Sequence, residues 1–465
     1  MATVTSYGAA EVVTGSAHLL EIENGPKILI DCGMFQGEEE DQNQKEFGFD
    51  PNSVDFLLIT HAHLDHVGRV PKLLKDGFKG SIVATAPTCD LAEVILLDAV
   101  KLMRQEYETR FKKAQRKGRE KEIEEPLYKE NDVQAAFDLP WIFPKYNEKI
   151  KLCDDVYITY QDAGHILGSS FIEIRFKERG VWYTIVFSGD LGNDNDIVLP
   201  PLQACKEADY LYIESTYGDR NHKNLNDSLN EFKKIVIDTM HNWGNIIIPS
   251  FAVERSQELL CILKDMYIKK ELPECKIFLD SPMATRATDV YRKYADHLSQ
   301  HCQKNKIKDG TVFDFENLVY TLEAKDSIAI NDIQRRAIII AGSGMCTGGR
   351  ILHHFKHRLW NQKNAVIFVG YQAVGTLGRS IVDGAKNVNI YGEDIIIKAG
   401  IHTINGFSAH ADQKSMLSWI SKIKDLKRIF LIHGEEDKQK IFKKVLEEKL
   451  NKKIHIIKPQ ESIYL

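Results

Sequence analysis

The stretch His61-Ala62-His63-Leu64-Asp65-His66 sets three imidazoles and a carboxylate within six residues, directly after the apolar run Val54 to Thr60. In extended or loop backbone, residues two apart face the same side, so His61 and His63 can address one ion while Asp65 and His66 face a second. Two further strand-like runs are followed by the same chemistry. Val156 to Tyr160 leads to His165, flanked by Gly164 and Gly168, and Trp182 to Phe187 leads to Asp190 in Ser188-Gly189-Asp190. The glycines around His165 permit close backbone approach, so this histidine can complete the first ion's shell. Imidazole and carboxylate without thiolate suit zinc, manganese or iron, and two ions about 3.5–4 Å apart are well served by a shared carboxylate, for which Asp190 is the best placed. Such a pair hydrolyses phosphodiesters: a hydroxide bridging the two ions is available near neutral pH because metal binding lowers the water's pKa to about 7, and Asp65 can hold that hydroxide by a hydrogen bond.

At 465 residues, 43% apolar and 27% charged, the chain has the length for two or three domains and the composition of an ordinary globular protein. A formal net charge of -5 excludes a global basic field, so any polyanion site must be local. Eight cysteines are scattered without a C-x-x-C pair, which argues against a disulfide framework and a thiolate zinc site and fits a reducing cytoplasm. The N-terminus lacks a basic and then apolar leader, and no run of about 18 apolar residues occurs, so neither export nor membrane association is expected.

The elements that must position these residues follow from patterning. Ala17 to Asp31 reads as two strands around Asn24-Gly25, a hairpin with the type I′ turn that this dipeptide favours. Asp90 to Arg110 has helical apolar spacing, and the mixed-charge run from Phe111 to Glu125 reads as solvated helix or hairpin. Beyond Tyr217, strands and helices alternate: Asn245 to Pro249, a helix from Glu254, Lys276 to Leu279, a helix from Thr285, Ala337 to Ala341, a helix from Arg350, and Ala365 to Val369. This alternation predicts a parallel α/β domain over 217–390. From Ile395 the chain returns to short strands and loops carrying His410 and His433, followed by an amphipathic helix at Lys438 to Leu450 and a last strand at Lys453 to Lys458.

With these residues in hand, the chain resembles the metallo-β-lactamase fold and specifically its β-CASP nuclease branch, over essentially its whole length. The resemblance implies an α/β protein: a four-layer αββα hydrolase domain over 1–216, a β-CASP cap inserted at 217–390, and a return segment at 391–465 that completes the hydrolase domain. It assigns Asp31 to the family's first motif, His61, His63, Asp65 and His66 to the second, His165 to the third and Asp190 to the fourth. The branch motifs are matched by Glu214 in Glu214-Ser215-Thr216-Tyr217-Gly218, by His410 in Ser408-Ala409-His410-Ala411-Asp412, and by His433 in Ile432-His433-Gly434. By this likeness one ion takes His61, His63, His165 and Asp190, and the other Asp65, His66, Asp190 and His433, with Asp31 orienting a ligand from behind. Two zinc ions are expected, with manganese as the alternative. His410 held by Glu214 would protonate the leaving oxygen. A histidine at 433 accompanies RNA substrates in the family, so the implied partner is single-stranded RNA, cut internally or from the 5′ end, by a homodimer or within an RNA-processing complex. A small-molecule metallohydrolase and a DNA-directed nuclease of the same fold are the competing readings.

Further segments of the predicted cap resemble the family too. They include Pro249-Ser250-Phe251-Ala252-Val253-Glu254-Arg255 and Asp280-Ser281-Pro282-Met283-Ala284, which carries Ser281. Gly342 to Gly349, which carries Ser343 and Gly344, precedes a helix whose amides can bind phosphate. The next strand ends without a ribose-binding acid and there is no Walker A sequence, so this loop reads as a close approach to an RNA backbone or to the metal cleft rather than as a dinucleotide site. Arg255, Arg350 and Arg379 stand beside such loops, where a guanidinium can take a phosphate bidentately or else form a surface ion pair. His353, His354 and His357 read as a solvated or substrate-facing helix surface.

Overall fold

The computed structural model describes residues 1–193 and 196–465. The chain forms two compact units: residues 1–194, 201–221 and 410–465 make the first, and residues 195–200 and 222–409 the second. The strands of the first unit are, in chain order, β1 (Thr3–Gly8), β2 (Ala17–Glu21), β3 (Lys27–Ile30), β4 (Phe56–Leu58), β5 (Ser81–Val83), β6 (Trp141–Ile142), β7 (Lys149–Cys153), β8 (Val156–Asp162), β9 (Ser170–Glu178), β10 (Val181–Phe187) and β11 (Tyr210–Ile213). The second unit contributes β12 (Ile246–Pro249), β13 (Lys276–Asp280), β14 (Leu318–Tyr320), β15 (Ala337–Ala341), β16 (Ala365–Phe368), β17 (Asn387–Ile390), β18 (Glu393–Ile396) and β19 (Gly400–Thr403), after which the chain re-enters the first unit with β20 (Arg428–Leu431), β21 (Ile454–Ile456) and β22 (Ser462–Tyr464).

In the first unit two seven-stranded sheets run in the orders β22-β1-β2-β3-β4-β5-β6 and β21-β20-β11-β10-β9-β8-β7. Alternating side chains bury both faces of each sheet, because successive residues of a strand point to opposite sides. Ile30, Leu58 and Val83 of one sheet meet Ile158, Ile174, Phe187, Tyr212 and Phe430 of the other in a shared core. The intervening Val186, Leu211, Ile213, Ile429 and Leu431 face outward onto Met416, Trp419 and Ile420 of the helix Gln413–Ile420 and onto Phe442 and Leu446 of the helix Glu436–Leu450. On the first sheet, Leu29, Leu57 and Ile82 are fully buried although they do not face the shared core. The helices Val70–Lys75, Ala86–Gln115 and Glu130–Asp138 supply that cover, giving helix, sheet, sheet, helix. The helix from Ala86 continues through the first third of the charged run that follows Arg110, to Gln115.

The first hairpin pairs β2 with β3 as expected, but its turn is not type I′. Glu21 pairs with Lys27 and leaves a five-residue connection in which Asn24 alone takes a positive φ, +57°. A two-residue turn would need an N–H at position 26, and Pro26 has none.

The second unit holds a six-stranded parallel sheet in the order β14-β13-β15-β12-β16-β19. It extends to Ala409, past the end of the strand-helix alternation near 390, because β19 pairs with β16. Its strands are almost continuously apolar, as both faces are covered: Ile247, Ile339, Val366 and Phe368 pack on Ile351, Phe355 and Leu359 of the helix region from Arg350. Among the described residues, no helix is long and apolar enough to cross a membrane.

Candidate active site

Every titratable residue of the expected metal centre lies in the first unit, in the segment that follows a strand, with Asp65 and His66 in the one-turn helix Leu64–Val67 after β4. The loop after β4 is pinned by backbone bonds: Ser16 N–H donates to the Asp65 carbonyl (2.9 Å), Cys32 N–H to that of His66 (2.8 Å) and Met34 N–H to that of Leu64 (2.9 Å). Gly33 is required there, since a Cβ at that position would fall 1.5 Å from the Asp65 carbonyl oxygen. Gly192 has the same role after β10, where a Cβ would sit 1.8 Å from the Gly164 carbonyl oxygen; this contact ties the Asp190 loop to the loop carrying His165.

Two groups of donors result. In the first, His63 Nδ1 is 3.1 Å from His61 Nε2 and 3.2 Å from His165 Nε2, while Asp190 Oδ2 lies 3.5 Å from His61 Nε2 and 3.6 Å from His165 Nε2. In the second, His433 Nε2 is 3.3 Å from His66 Nε2 and 3.4 Å from Asp65 Oδ2, and Asp190 Oδ1 is 3.4 Å from His66 Nε2. Asp190 thus turns one oxygen to each group. Its Oδ1 is buried and accepts no hydrogen bond, a costly state for an anion unless a cation neutralises it. Ring nitrogens that converge on a carboxylate oxygen from several loops form a donor set suited to divalent metal, so the residues present fit such ions.

Burial makes His61 and His63 reluctant to take a proton, holding His61 well below its usual range and His63 at about 4. Neutral imidazole is the form that binds metal. Burial also opposes charge on His66, but Asp190, Asp31 and Asp65 together outweigh it and raise that histidine, as expected where carboxylates surround one ring. Asp31, at φ +61°, receives His66 Nδ1 at 2.7 Å and leaves Nε2 to the centre. Asp31→Asn is therefore expected to weaken metal binding by about 10–100-fold with the fold intact, measured by competition with a chromogenic chelator.

Sequence reasoning overlooked the groups that hold Asp31 and His433. Thr60 donates to Asp31 through its N–H (2.8 Å) and its hydroxyl (2.9 Å to Oδ2), and Ser16 adds a weaker hydroxyl bond at 3.3 Å. Thr216 Oγ1 lies 3.2 Å from His433 Nδ1. The one signal for Thr60 was its place directly before the first histidine.

Beside the metal donors, His410 Nδ1 is 3.2 Å from Glu214 Oε2, and its ring centroid is 4.5 Å from that of His165. Glu214 is fully buried and its Oε1 accepts the Leu191 N–H at 2.6 Å. Burial lowers the tendency of His410 to protonate, yet Glu214, with Asp190 and Asp65, overrides it and raises the imidazole to about 9.

The substrate-binding candidates of the second unit lie at the C-terminal ends of β12, β13, β15 and β16 and in the helices that follow, with three departures from expectation. Arg255 is buried between Glu254 (3.4 Å) and Glu258 rather than open to a phosphate. Arg350 turns inward onto Asp280 Oδ1 (2.7 Å) and the carbonyls of Thr321 and Leu322. His354 is not on a solvated surface: it is 1% exposed and donates from Nε2 to Asp280 Oδ2 at 2.6 Å. Arg379 is exposed and paired with Asp383 one helical turn away. Ser281 and Ser343 border the same rim, with Ser281 Oγ 3.7 Å from the position of a Cβ on Gly342.

Burial alone would raise the Asp280 carboxyl, but bonds from His354, Thr321 and Ser327 hold it well below the usual carboxylate range. Stability from this group is therefore present above the unfolded-state pKa of about 4 and is lost as pH falls below it. At neutral pH Asp280→Asn is expected to cost about 3 kcal/mol in denaturant unfolding, with the gap from the parent narrowing below pH about 4. Arg379→Ala, at an exposed pair with Asp383, should leave the unfolding midpoint essentially unchanged in the same assay.

Three family descriptions match the chain: a metallo-beta-lactamase superfamily domain at residues 19–203, a Beta-Casp domain at 256–381, and a Zn-dependent metallo-hydrolase RNA specificity domain at 394–457. The chain is 40% identical over 436 residues to Ribonuclease TTHA0252 of Thermus thermophilus, covering 94% of each chain. It is 30% identical over 451 residues to Transcription termination factor FttA of Methanosarcina mazei, covering 93% of this chain and 67% of that one. A crystal structure of a protein of unknown function from Enterococcus faecalis V583 aligns over 100% of both chains with a TM-score of 0.56 at 12% identity, a likeness of fold alone.

Proposed function

Because the chain belongs to the β-CASP branch of the metallo-β-lactamase-fold hydrolases, we propose that it is a metal-dependent ribonuclease whose first unit holds two divalent ions, zinc by preference, and hydrolyses phosphodiester bonds of single-stranded RNA. The observation that carries this reading is Asp190, whose two oxygens face two separate imidazole groups from one buried side chain. A ribonuclease relative aligned over 94% of both chains, and a matched domain described by its RNA specificity, favour RNA over the small-molecule and DNA alternatives.

His61, His63, His165 and Asp190 would hold one ion, and Asp65, His66, His433 and Asp190 the other. Bound there, the ions supply Lewis acidity towards phosphate oxygens and acidify a water to near neutrality. Asp65, close to His433 and 21% exposed, can orient that water by accepting its proton in a hydrogen bond. His410, kept protonated by Glu214, can give a proton to the departing ribose oxygen, and the Leu191 amide keeps the Glu214 carboxylate in place during the transfer.

The test is cleavage of an end-labelled single-stranded RNA by the purified chain. Cleavage that is abolished by a chelator, restored by zinc or manganese and absent from Asp65→Ala supports the reading. Chelator-resistant cleavage, or none with either metal supplied, contradicts it.

A further inference from the structure

The rim of the second unit's sheet carries a feature that the metal chemistry does not use. Leaving β12 the chain crosses towards β13, and leaving β15 it crosses the opposite way to β16, so the connecting helices lie on opposite faces and the C-terminal ends of β12 and β15 border a crevice. Open parallel sheets bind ligands in that position. Phe251, just past β12, stands there with 42% of its surface exposed. Its ring lies flush on the glycine loop: a Cβ on Gly344 would meet it at 2.8 Å and one on Gly370 at 3.3 Å.

The backbone beneath and beside the ring is fixed. The Phe251 carbonyl accepts hydroxyl bonds from Ser256 (2.7 Å) and Ser250 (3.1 Å), and the Ser250 N–H donates to Ala341 on β15. The buried Gln372 amide donates to the carbonyls of Gly344 (2.9 Å), Tyr371 (3.1 Å) and Gly370 (3.2 Å), locking the two loops that support Phe251. A half-exposed ring on a rigid support costs little ordering entropy when a planar ligand settles on it. In the Gly342 to Gly349 loop on which the ring rests through Gly344, and among the described residues, the N–H groups of Gly344, Met345 and Gly348 donate to no group of the chain. An aromatic face beside unpaired amides suits a nucleotide, which presents a π-face and an anion together, better than it suits an apolar peptide. Tyr371, 48% exposed at the end of the β16 loop, offers a second aromatic surface on the same rim.

We propose that Phe251 is a stacking platform for a nucleobase of single-stranded RNA, seated at the C-terminal crevice of the second unit's parallel sheet. This deepens the ribonuclease reading and rests on it for the identity of the ligand.

The test uses the full chain carrying Asp65→Ala, so that RNA is bound but not cut, and reads the anisotropy of a fluorescein-labelled single-stranded oligoribonucleotide. Phe251→Ala and Phe251→Leu are expected to weaken binding about 10-fold, while Phe251→Trp stays within about 3-fold of the parent. On an abasic ribose-phosphate chain of equal length, the parent and its Phe251→Leu variant should bind alike. Should Phe251→Ala fail to fold, the Leu and Trp pair, checked by thermal unfolding, decides. Leucine binding base-containing RNA as tightly as phenylalanine overturns the stacking site while leaving the ribonuclease reading to its own cleavage assay. An Asp65→Ala parent with no affinity for RNA overturns both.

Discussion

Replacing Asp190 by alanine is expected to leave a folded protein that retains well under one divalent ion per chain and cleaves RNA about 10³–10⁴-fold more slowly, the loss that follows from removing several kcal/mol of metal-borne transition-state stabilisation. The effect should exceed that of any other single ligand because, among the described residues, Asp190 is the one carboxylate within 3.6 Å of imidazole nitrogens from both groups. The fold should survive: Asp190 makes no contribution to the apolar core, and its removal relieves a buried, unbonded oxygen. Metal content by plasma emission, with single-turnover cleavage at fixed free zinc, reads the result. A protein that keeps both ions and near-parental rates would show that Asp190 is not shared.

The second large effect is predicted for His410. Its alanine variant should keep its metal content and lose about 10²–10³-fold in cleavage, the usual worth of a positioned general acid. Replacing the Glu214 partner by glutamine removes the charge that favours the imidazolium, so the pKa of His410 falls. A proton donor is active below its pKa, so the alkaline limb of the pH–rate profile should move to lower pH in Glu214→Gln. An RNA with a good leaving group at the scissile position, which needs no proton, should regain most of the rate lost in His410→Ala. No such rescue would mean that His410 acts by holding its neighbours in place.

Much of the site was legible because its chemistry sits where strands end. His61, His63 and His66 are dense in sequence, and His165 and Asp190 each follow an apolar run, so their types and positions carried the inference before any contact was seen. The pairing of Glu214 with His410 was not legible from spacing, since 196 positions separate them and only the meeting of β11 with the returning chain brings them to 3.2 Å. The hairpin at Ala17 was legible while its turn was not, because the Asn24-Gly25 signal says nothing of the N–H that Pro26 lacks. Arg350 and His354 depart from what their spacing predicts for another reason. Helical spacing gives the face of a side chain but not its partner, and the buried Asp280 that draws both inward lies 70 residues upstream of Arg350.

If, as proposed, cleavage of RNA requires two ions held around Asp190, the dependence of activity on bound zinc must show it. Apo protein titrated with zinc should regain cleavage of single-stranded RNA only as the second equivalent binds. Full activity after one equivalent, or activity that survives complete chelation, would contradict the claim.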